Sequence, residues 1–103
     1  MDLYPAKRVE IIIESVMEGH LTEALVDAGV TGFTIVPVSG GSGRSGQWSG
    51  QGQVSRAGGM VMFVCLLRPD RLQTLLDSVF PVLDRHIGVL SVTDTYVLRA
   101  ERF

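Results

Sequence analysis

Five consecutive residues have the composition of an anion-binding turn, Gly40-Gly41-Ser42-Gly43-Arg44. Successive backbone N–H groups in a glycine-rich turn can point toward one anion, and the missing side chains let phosphate oxygens approach the backbone. The arginine that follows supplies a planar cation that can form two hydrogen bonds to a phosphate or a carboxylate. We therefore predict an anion site in the glycine- and arginine-containing segment to which these residues belong.

The segment around this turn contains glycine and arginine but no acidic residue. Ten of the 12 glycines lie between positions 29 and 59, and the only charged residues between positions 27 and 70 are Arg44, Arg56 and Arg68. The whole chain has 9 basic and 11 acidic residues and a net charge of −2. Because nucleic-acid-binding domains usually have a basic excess, this pattern favours a small anion over nucleic acid. A surface loop with incidental arginines is the alternative interpretation.

No other group of residues predicts catalysis or metal binding. His20 and His86 each lack a second His or Cys at the spacing that metal ligands need. Cys65 lies in an apolar stretch, where cysteine is usually a small core residue. We expect no enzymatic activity and no metal site.

Residues 39–59 have almost no periodic apolar pattern, which predicts a long, flexible loop. Loops of this length in a small domain are usually functional or disordered. Trp48 is a large aromatic residue in the middle of this polar stretch, with no apolar neighbours to join. We predict that Trp48 contacts a partner, with packing back onto its own loop as the alternative.

The remaining residues form regular elements that would hold this loop. Four stretches have strand composition, 6–13, 32–38, 60–67 and 89–98. A helix follows the first stretch from Val16, with Ser15 as its cap and Gly29 as its end, and Pro69 begins a second helix. The order β-α-β-β-α-β predicts an α+β, ferredoxin-like domain over residues 1–103, an antiparallel sheet with two helices on one face.

The third predicted strand is apolar on both of its faces. Met60, Met62, Val64 and Leu66 point one way, and Val61, Phe63, Cys65 and Leu67 point the other. Two helices cover only one face of such a sheet, so the other face needs a cover that this chain does not supply. The sequence predicts self-association.

Length and composition predict a soluble cytoplasmic protein. The chain has 103 residues, 46% of them hydrophobic, which is enough for one compact domain. The lone Cys65 cannot form an internal disulfide. The first dozen residues lack the layout of a signal peptide, and no apolar run approaches the ~18–20 residues of a membrane span.

Two motifs resemble those of the PII-like signalling proteins, most closely the branch linked to inorganic-carbon uptake and to carboxysomes. They are Gly29-Val30-Thr31-Gly32-Phe33-Thr34-Ile35 and the Gly40–Arg44 segment that follows it. The resemblance covers nearly the full chain. It implies a homotrimer with three clefts between subunits, each binding an adenine nucleotide (ADP, AMP or ATP). Residues 39–59 would be the family's T-loop, which senses the nucleotide and contacts a partner, often a membrane transporter.

The resemblance also implies roles for single residues. Thr31, Gly32, Phe33 and Thr34 would lie by the adenine and ribose. The phosphates would meet Gly40, Gly41, Ser42, Gly43 and Arg44. Gly88 would approach the ligand through its backbone, and Arg99 or Arg102 would contact phosphate across the interface.

Together these features predict a non-enzymatic sensor of adenine nucleotides in inorganic-carbon metabolism, with no cofactor. The loop would contact a bicarbonate transporter or a carboxysome-associated protein. Bicarbonate is a candidate second ligand near Ser42, Gly43 and Arg44, because its planar oxygens suit the fork of arginine. Two alternatives remain open at this point, a trimeric ferredoxin-like metal-handling protein and an adaptor module without a small ligand.

Overall fold

The structure is a computed structural model, and it describes residues 1–43, 46–49 and 59–99. The described residues form six strands, which are β1 (Tyr4–Glu14), β2 (Phe33–Val38), β3 (Gly40–Gly43), β4 (Gly46–Ser49), β5 (Met60–Leu67) and β6 (Gly88–Val97). The helices are α1 (Glu18–Asp27) and α2 (Leu72–Leu83), which follow the 3-10 turns Ser15–Met17 and Pro69–Arg71. No helix in the described part of the chain is long and apolar enough to cross a membrane.

Four strands form one antiparallel sheet in the order β2-β5-β1-β6. In β1 and β5, alternate residues are buried against the two helices, as the period of a half-covered strand requires. Fully buried side chains of both helices, Leu21, Leu25 and Leu75 among them, join Ile11 and Phe63 of the sheet in one core. The predicted α+β fold is confirmed.

No helix among the described residues covers the opposite face of the sheet. The register places Ile12 beside Met62, and Thr34 beside Val64, on this helix-free face. Met62, Val64 and Leu66 are only half-buried, whereas their neighbours Phe63 and Cys65 have no exposed surface. The prediction that β5 is apolar on both faces, with one face uncovered, is therefore confirmed.

Gly29 ends α1 in the way that the sequence predicts. Its φ is +79°, a left-handed conformation that favours glycine. The Gly29 N–H donates to the Val26 carbonyl, and the Val30 N–H donates to the Leu25 carbonyl. These two bonds form a Schellman motif, and the buried side chains of Val30 and Leu25 supply its apolar contact.

Two expectations about local structure are wrong. Residues 39–59 are not wholly irregular, since β3 and β4 pair as an antiparallel hairpin with Gly41 opposite Trp48. Backbone hydrogen bonds form this ladder without any apolar alternation in the sequence. Ser15 does not cap the first helix either, because it begins a 3-10 turn and α1 begins only at Glu18.

Candidate functional site

A cavity of about 200 Å³ opens where the α1–β2 connection meets the start of α2. The α1–β2 connection contributes backbone and the Thr31 hydroxyl to one wall, and the end of β5 and the turn before α2 contribute leucine side chains and two guanidinium groups to the other. The lining residues are Gly29, Val30, Thr31, Leu66, Leu67, Arg68 and Arg71. Such a mixture of apolar surface and a few polar groups is typical of a pocket for a small ligand.

Hydrogen bonds at both ends fix the segment of residues 29–32 that forms one wall. At its start, the Ala28 carbonyl accepts a hydrogen bond of 2.9 Å from Arg71 Nη2. At its end, the Gly32 carbonyl accepts a bond of 3.0 Å from the Leu66 N–H of β5. Val30 is anchored in the core, while Thr31 is exposed beside the cavity. The wall therefore presents Thr31 from a backbone that is held on either side.

Two arginines give the cavity its positive charge. Arg68 Nε lies 3.5 Å from an Asp70 carboxylate oxygen, and both side chains are more than half exposed, so this pair neutralises little of the local field. Arg71 is partly buried and ends the 3-10 turn before α2. Within the part of the chain that the structure describes, no carboxylate oxygen lies within 4.0 Å of the Arg71 guanidinium. The cavity can attract an anionic ligand.

The residues predicted for the adenine and ribose side do not all meet at this cavity. Thr31 lines it, and Gly32 contributes the carbonyl that β5 holds. The Phe33 ring packs on the helix-covered side of the sheet, stacked on Phe63 with ring centroids 6.1 Å apart. Thr34 is exposed on the helix-free face opposite Val64.

The residues predicted for the phosphate side lie in and beside the hairpin. Gly40–Gly43 is an extended strand rather than the compact glycine turn expected from sequence. Gly40, Gly41 and Ser42 are exposed, and a strand in a two-stranded ladder keeps about half of its N–H groups unpaired on its outer edge. Those groups can still donate to an anion. Arg44 and Arg102 lie outside the described residues.

Gly88 lies at the first position of β6, opposite Ile13. A Cβ added there would lie 3.0 Å from the Ile12 carbonyl oxygen, so packing within the chain already favours glycine at this position. The turn before it is held by Glu14, whose Oε1 accepts a bond of 3.1 Å from the Ile87 N–H and lies 3.6 Å from His86 Nδ1. Arg99 is exposed just beyond the end of β6.

The other chemically reactive side chains stand apart from the cavity. His20 is exposed on α1. Cys65 lies in the core, where burial raises the pKa of its thiol from 9.0 to about 11 and so disfavours the nucleophilic thiolate. Among residues 1–43, 46–49 and 59–99, no three His, Cys, Asp or Glu side chains are grouped to hold a metal ion.

Of the residues that line the cavity, only Thr31 was among those predicted for the site; the six others are Gly29, Val30, Leu66, Leu67, Arg68 and Arg71. Arg68 belongs to the acid-free segment that first indicated an anion site, so its charge was a usable clue. Arg71 lies 43 residues from Ala28 in sequence, and no local pattern indicates their contact.

The sequence pattern of the family described as nitrogen regulatory protein P-II matches residues 6–102. The chain belongs to this family. The family resemblance of the two glycine motifs is therefore confirmed. No curated protein matches the sequence.

Solved P-II-like structures are similar over almost the whole chain. CPII from Thiomonas intermedia K12, a nitrogen regulatory PII-like protein bound to ADP, AMP and bicarbonate, has 32% identity and a TM-score of 0.90, covering 99% of this chain and 96% of CPII. CPII bound to ADP, AMP and acetate has 31% identity and a TM-score of 0.78, covering 100% and 98%. A PII-like signalling protein from Thermus thermophilus has 25% identity and a TM-score of 0.82, covering 100% and 99%.

Proposed function

We propose that this P-II family member is a non-enzymatic regulator that binds adenine nucleotides, ADP or AMP foremost. The observation that carries the proposal is its similarity, over 99% of the chain, to CPII solved with ADP, AMP and bicarbonate. The cavity beside Thr31 supports it independently, because this pocket combines aliphatic walls with two arginines. Apolar side chains suit the faces of a purine base, and the positive charge of the two guanidinium groups attracts a ligand that carries phosphate.

In this proposal the base and ribose lie against the cavity wall of residues 29–32, and the phosphates extend toward the β3–β4 hairpin. Among the exposed residues Gly40, Gly41 and Ser42, the N–H groups that point to the outer edge of the hairpin are donors for phosphate oxygens there. Arg44 follows directly in sequence and supplies a positive charge. Gly88, Arg99 and Arg102 complete the site from β6 and the residues after it, across a subunit boundary.

We expect a homotrimer, in which neighbouring subunits cover the helix-free face of the sheet. The helix-free face contains the half-buried Ile12, Met62, Val64 and Leu66, which no element in the described part of the chain covers. Three sheets that pack through this face bury it and create a cleft at each boundary between subunits. An isologous dimer would also cover the face, so the proposal depends on measuring the mass in solution.

The signalling output belongs to residues 39–59. Bicarbonate would bind near Ser42, Gly43 and Arg44 and bridge the nucleotide to this segment. CPII was solved with bicarbonate in one structure and with acetate in another, and both are small planar anions. Ordered by its ligands, the segment would present Trp48 to a bicarbonate transporter or a carboxysome-associated protein of inorganic-carbon metabolism.

Isothermal calorimetry with ADP, AMP, ATP and GDP tests nucleotide binding. We expect saturable binding of at least one adenine nucleotide, with one site per subunit and a weaker response to GDP. Removing a charged partner typically costs ~1.5–3 kcal/mol, so Arg44→Ala should weaken ADP binding about 10- to 150-fold. Glu23→Ala removes an exposed charge in the middle of α1, outside the residues assigned to the site, and as the control it should bind as wild type. Absence of binding to all three adenine nucleotides would overturn the proposal.

Bicarbonate is tested by repeating the ADP and AMP titrations with and without it at fixed pH and ionic strength. If both ligands order the same segment, each raises the affinity for the other, because linkage is reciprocal. We expect tighter nucleotide binding with millimolar bicarbonate than with chloride, and acetate tests whether any planar carboxylate suffices. Equal or weaker affinity would leave a nucleotide sensor without a bicarbonate site.

A further inference from the structure

Arg71 is packed against a glycine that no other residue could replace without displacing it. A Cβ added at Gly29 would lie 2.5 Å from Arg71 Nη2, closer than real Cβ contacts come. The same nitrogen donates to the Ala28 carbonyl at 2.9 Å. The guanidinium therefore lies directly over the Gly29 backbone, where α1 ends, and it uses the space that the missing side chain leaves.

This contact connects two parts of the cavity that are distant in sequence. Arg71 ends the 3-10 turn that leads into α2, and its own N–H donates to the Arg68 carbonyl at 3.0 Å. Its side chain reaches the backbone just before the wall of residues 29–32. The Gly32 carbonyl is bound separately by the Leu66 N–H. Arg71 and Leu66 thus hold the two ends of the segment that carries Thr31.

We propose that Arg71 is a positioning residue for the nucleotide site, which fixes the Thr31 segment through Ala28 instead of binding phosphate. The inference rests on the proposed nucleotide binding. The geometry favours positioning because one guanidinium nitrogen already bonds to a backbone carbonyl that helix α1 leaves without an N–H partner at its end. A segment held before the ligand arrives loses less conformational freedom on binding, so its affinity is higher.

Calorimetry on Arg71→Met and Arg71→Lys, with adenosine, AMP and ADP, tests this role. Methionine keeps much of the side-chain length but has no donor, whereas lysine keeps a donor for the Ala28 carbonyl. We expect Arg71→Met to weaken all three ligands by a similar factor, about tenfold, and Arg71→Lys to recover part of the loss. A loss that is absent for adenosine and grows from AMP to ADP would mean that Arg71 contacts phosphate, and it would overturn the positioning role.

Gly29→Ala disturbs the same contact from the other side without changing the arginine, but it also strains the backbone, because φ at Gly29 is +79°. We expect Gly29→Ala to weaken the three ligands by a common factor, and the double variant Gly29→Ala/Arg71→Met to lose less than the sum of the two single losses, because both remove one contact. Gly19→Ala is the matched control, because an added Cβ there meets nothing within 4 Å, and it should bind as wild type. Wild-type affinity in both Arg71→Met and Gly29→Ala would overturn the inference while leaving nucleotide binding itself intact.

Amide hydrogen exchange of the ligand-free protein gives a readout that does not depend on binding. In Arg71→Met, the amides of Val30, Thr31 and Gly32 should exchange faster, while those of the core strands β1 and β5 stay protected. If Arg71→Met lost protection throughout the domain, the variant would be unfolded. Exchange at residues 30–32 would then be measured in Arg71→Lys, which keeps a donor for the Ala28 carbonyl. Unchanged exchange at residues 30–32 in a folded variant would contradict positioning.

Discussion

The two faces of the main sheet differ in what completes them. On one face, Phe63 and Cys65 are fully buried beneath α1 and α2, and the chain supplies every contact itself. On the other, Val64 and Leu66 of the same strand are half-buried, and neither helix of the described chain lies above them. The composition of β5 is nearly the same on both sides. The comparison teaches that a strand apolar at every position indicates burial of both faces, but not whether the cover of each face comes from the same chain.

The largest effect is expected from a carboxylate on the helix-covered face. Cys65→Glu would place an ionisable group at a position with no exposed surface and no basic partner among the core residues. Burying an unpaired charge costs several kcal/mol, a large part of the 5–15 kcal/mol that stabilises a typical domain. We expect loss of the cooperative thermal transition in circular dichroism. A native-like transition would mean that this face is less tightly packed than the structure indicates.

The same substitution one residue earlier should break the assembly and spare the fold. Val64→Glu puts its carboxylate on the helix-free face, where a single subunit leaves it accessible to water. We expect wild-type protein to have about three times the chain mass of 11.2 kDa in light scattering, and Val64→Glu to have the mass of one chain. Circular dichroism should remain that of a folded domain. A wild-type monomer, or an intact trimer of Val64→Glu, would contradict the proposal that the helix-free face is the subunit interface.

An intermediate effect follows from the buried thiol. The folded-state pKa of Cys65 is raised to about 11 from 9.0, so between these pH values the unfolded chain loses a proton that the folded chain keeps. Stability from this group is fully present below pH 9 and decreases as pH rises toward 11. At ~1.36 kcal/mol per pKa unit, the decrease reaches about 3 kcal/mol. Urea unfolding at pH 8 and pH 11 should show a steeper loss in wild type than in Cys65→Ala, and parallel losses would contradict it.

The strand β5 and the end of α1 could be predicted from local sequence, whereas the β3–β4 hairpin depends on backbone contacts that leave no pattern in the sequence. The bounds of β5 were predicted to the residue, because a continuous apolar run admits few other structures. Gly29 was predicted as a helix end for the same kind of reason, a conformation that one residue type favours. The β3–β4 hairpin was missed because backbone hydrogen bonds between polar, glycine-rich strands leave no apolar period.

The residues of the candidate site likewise include some that a local motif predicts and others that only the fold brings there. Thr31 was predicted from a short motif and lines the cavity. Phe33 and Thr34 come from that motif too, yet strand alternation sends their side chains to opposite faces of the sheet. Arg71 reaches the site from a different part of the chain, through a contact over 43 residues. Motifs locate a segment of backbone, whereas the fold decides which side chains of that segment reach a ligand.

The smallest effect is expected from an ion pair at the edge of the sheet. Lys7 Nζ is bonded to Asp94 Oδ1, but the Asp94 side chain is 82% exposed, so water and salt screen the attraction. Exposed pairs contribute about 0–1 kcal/mol to stability. We therefore expect Asp94→Asn to lower the free energy of unfolding by less than about 1 kcal/mol in urea titrations. Glu10→Gln, which removes the partner of Arg8 on the helix-free face, is the matched variant. Its loss should be larger, because a trimer would bury Arg8 without its charge partner. Equal small losses would argue that this face stays open to water.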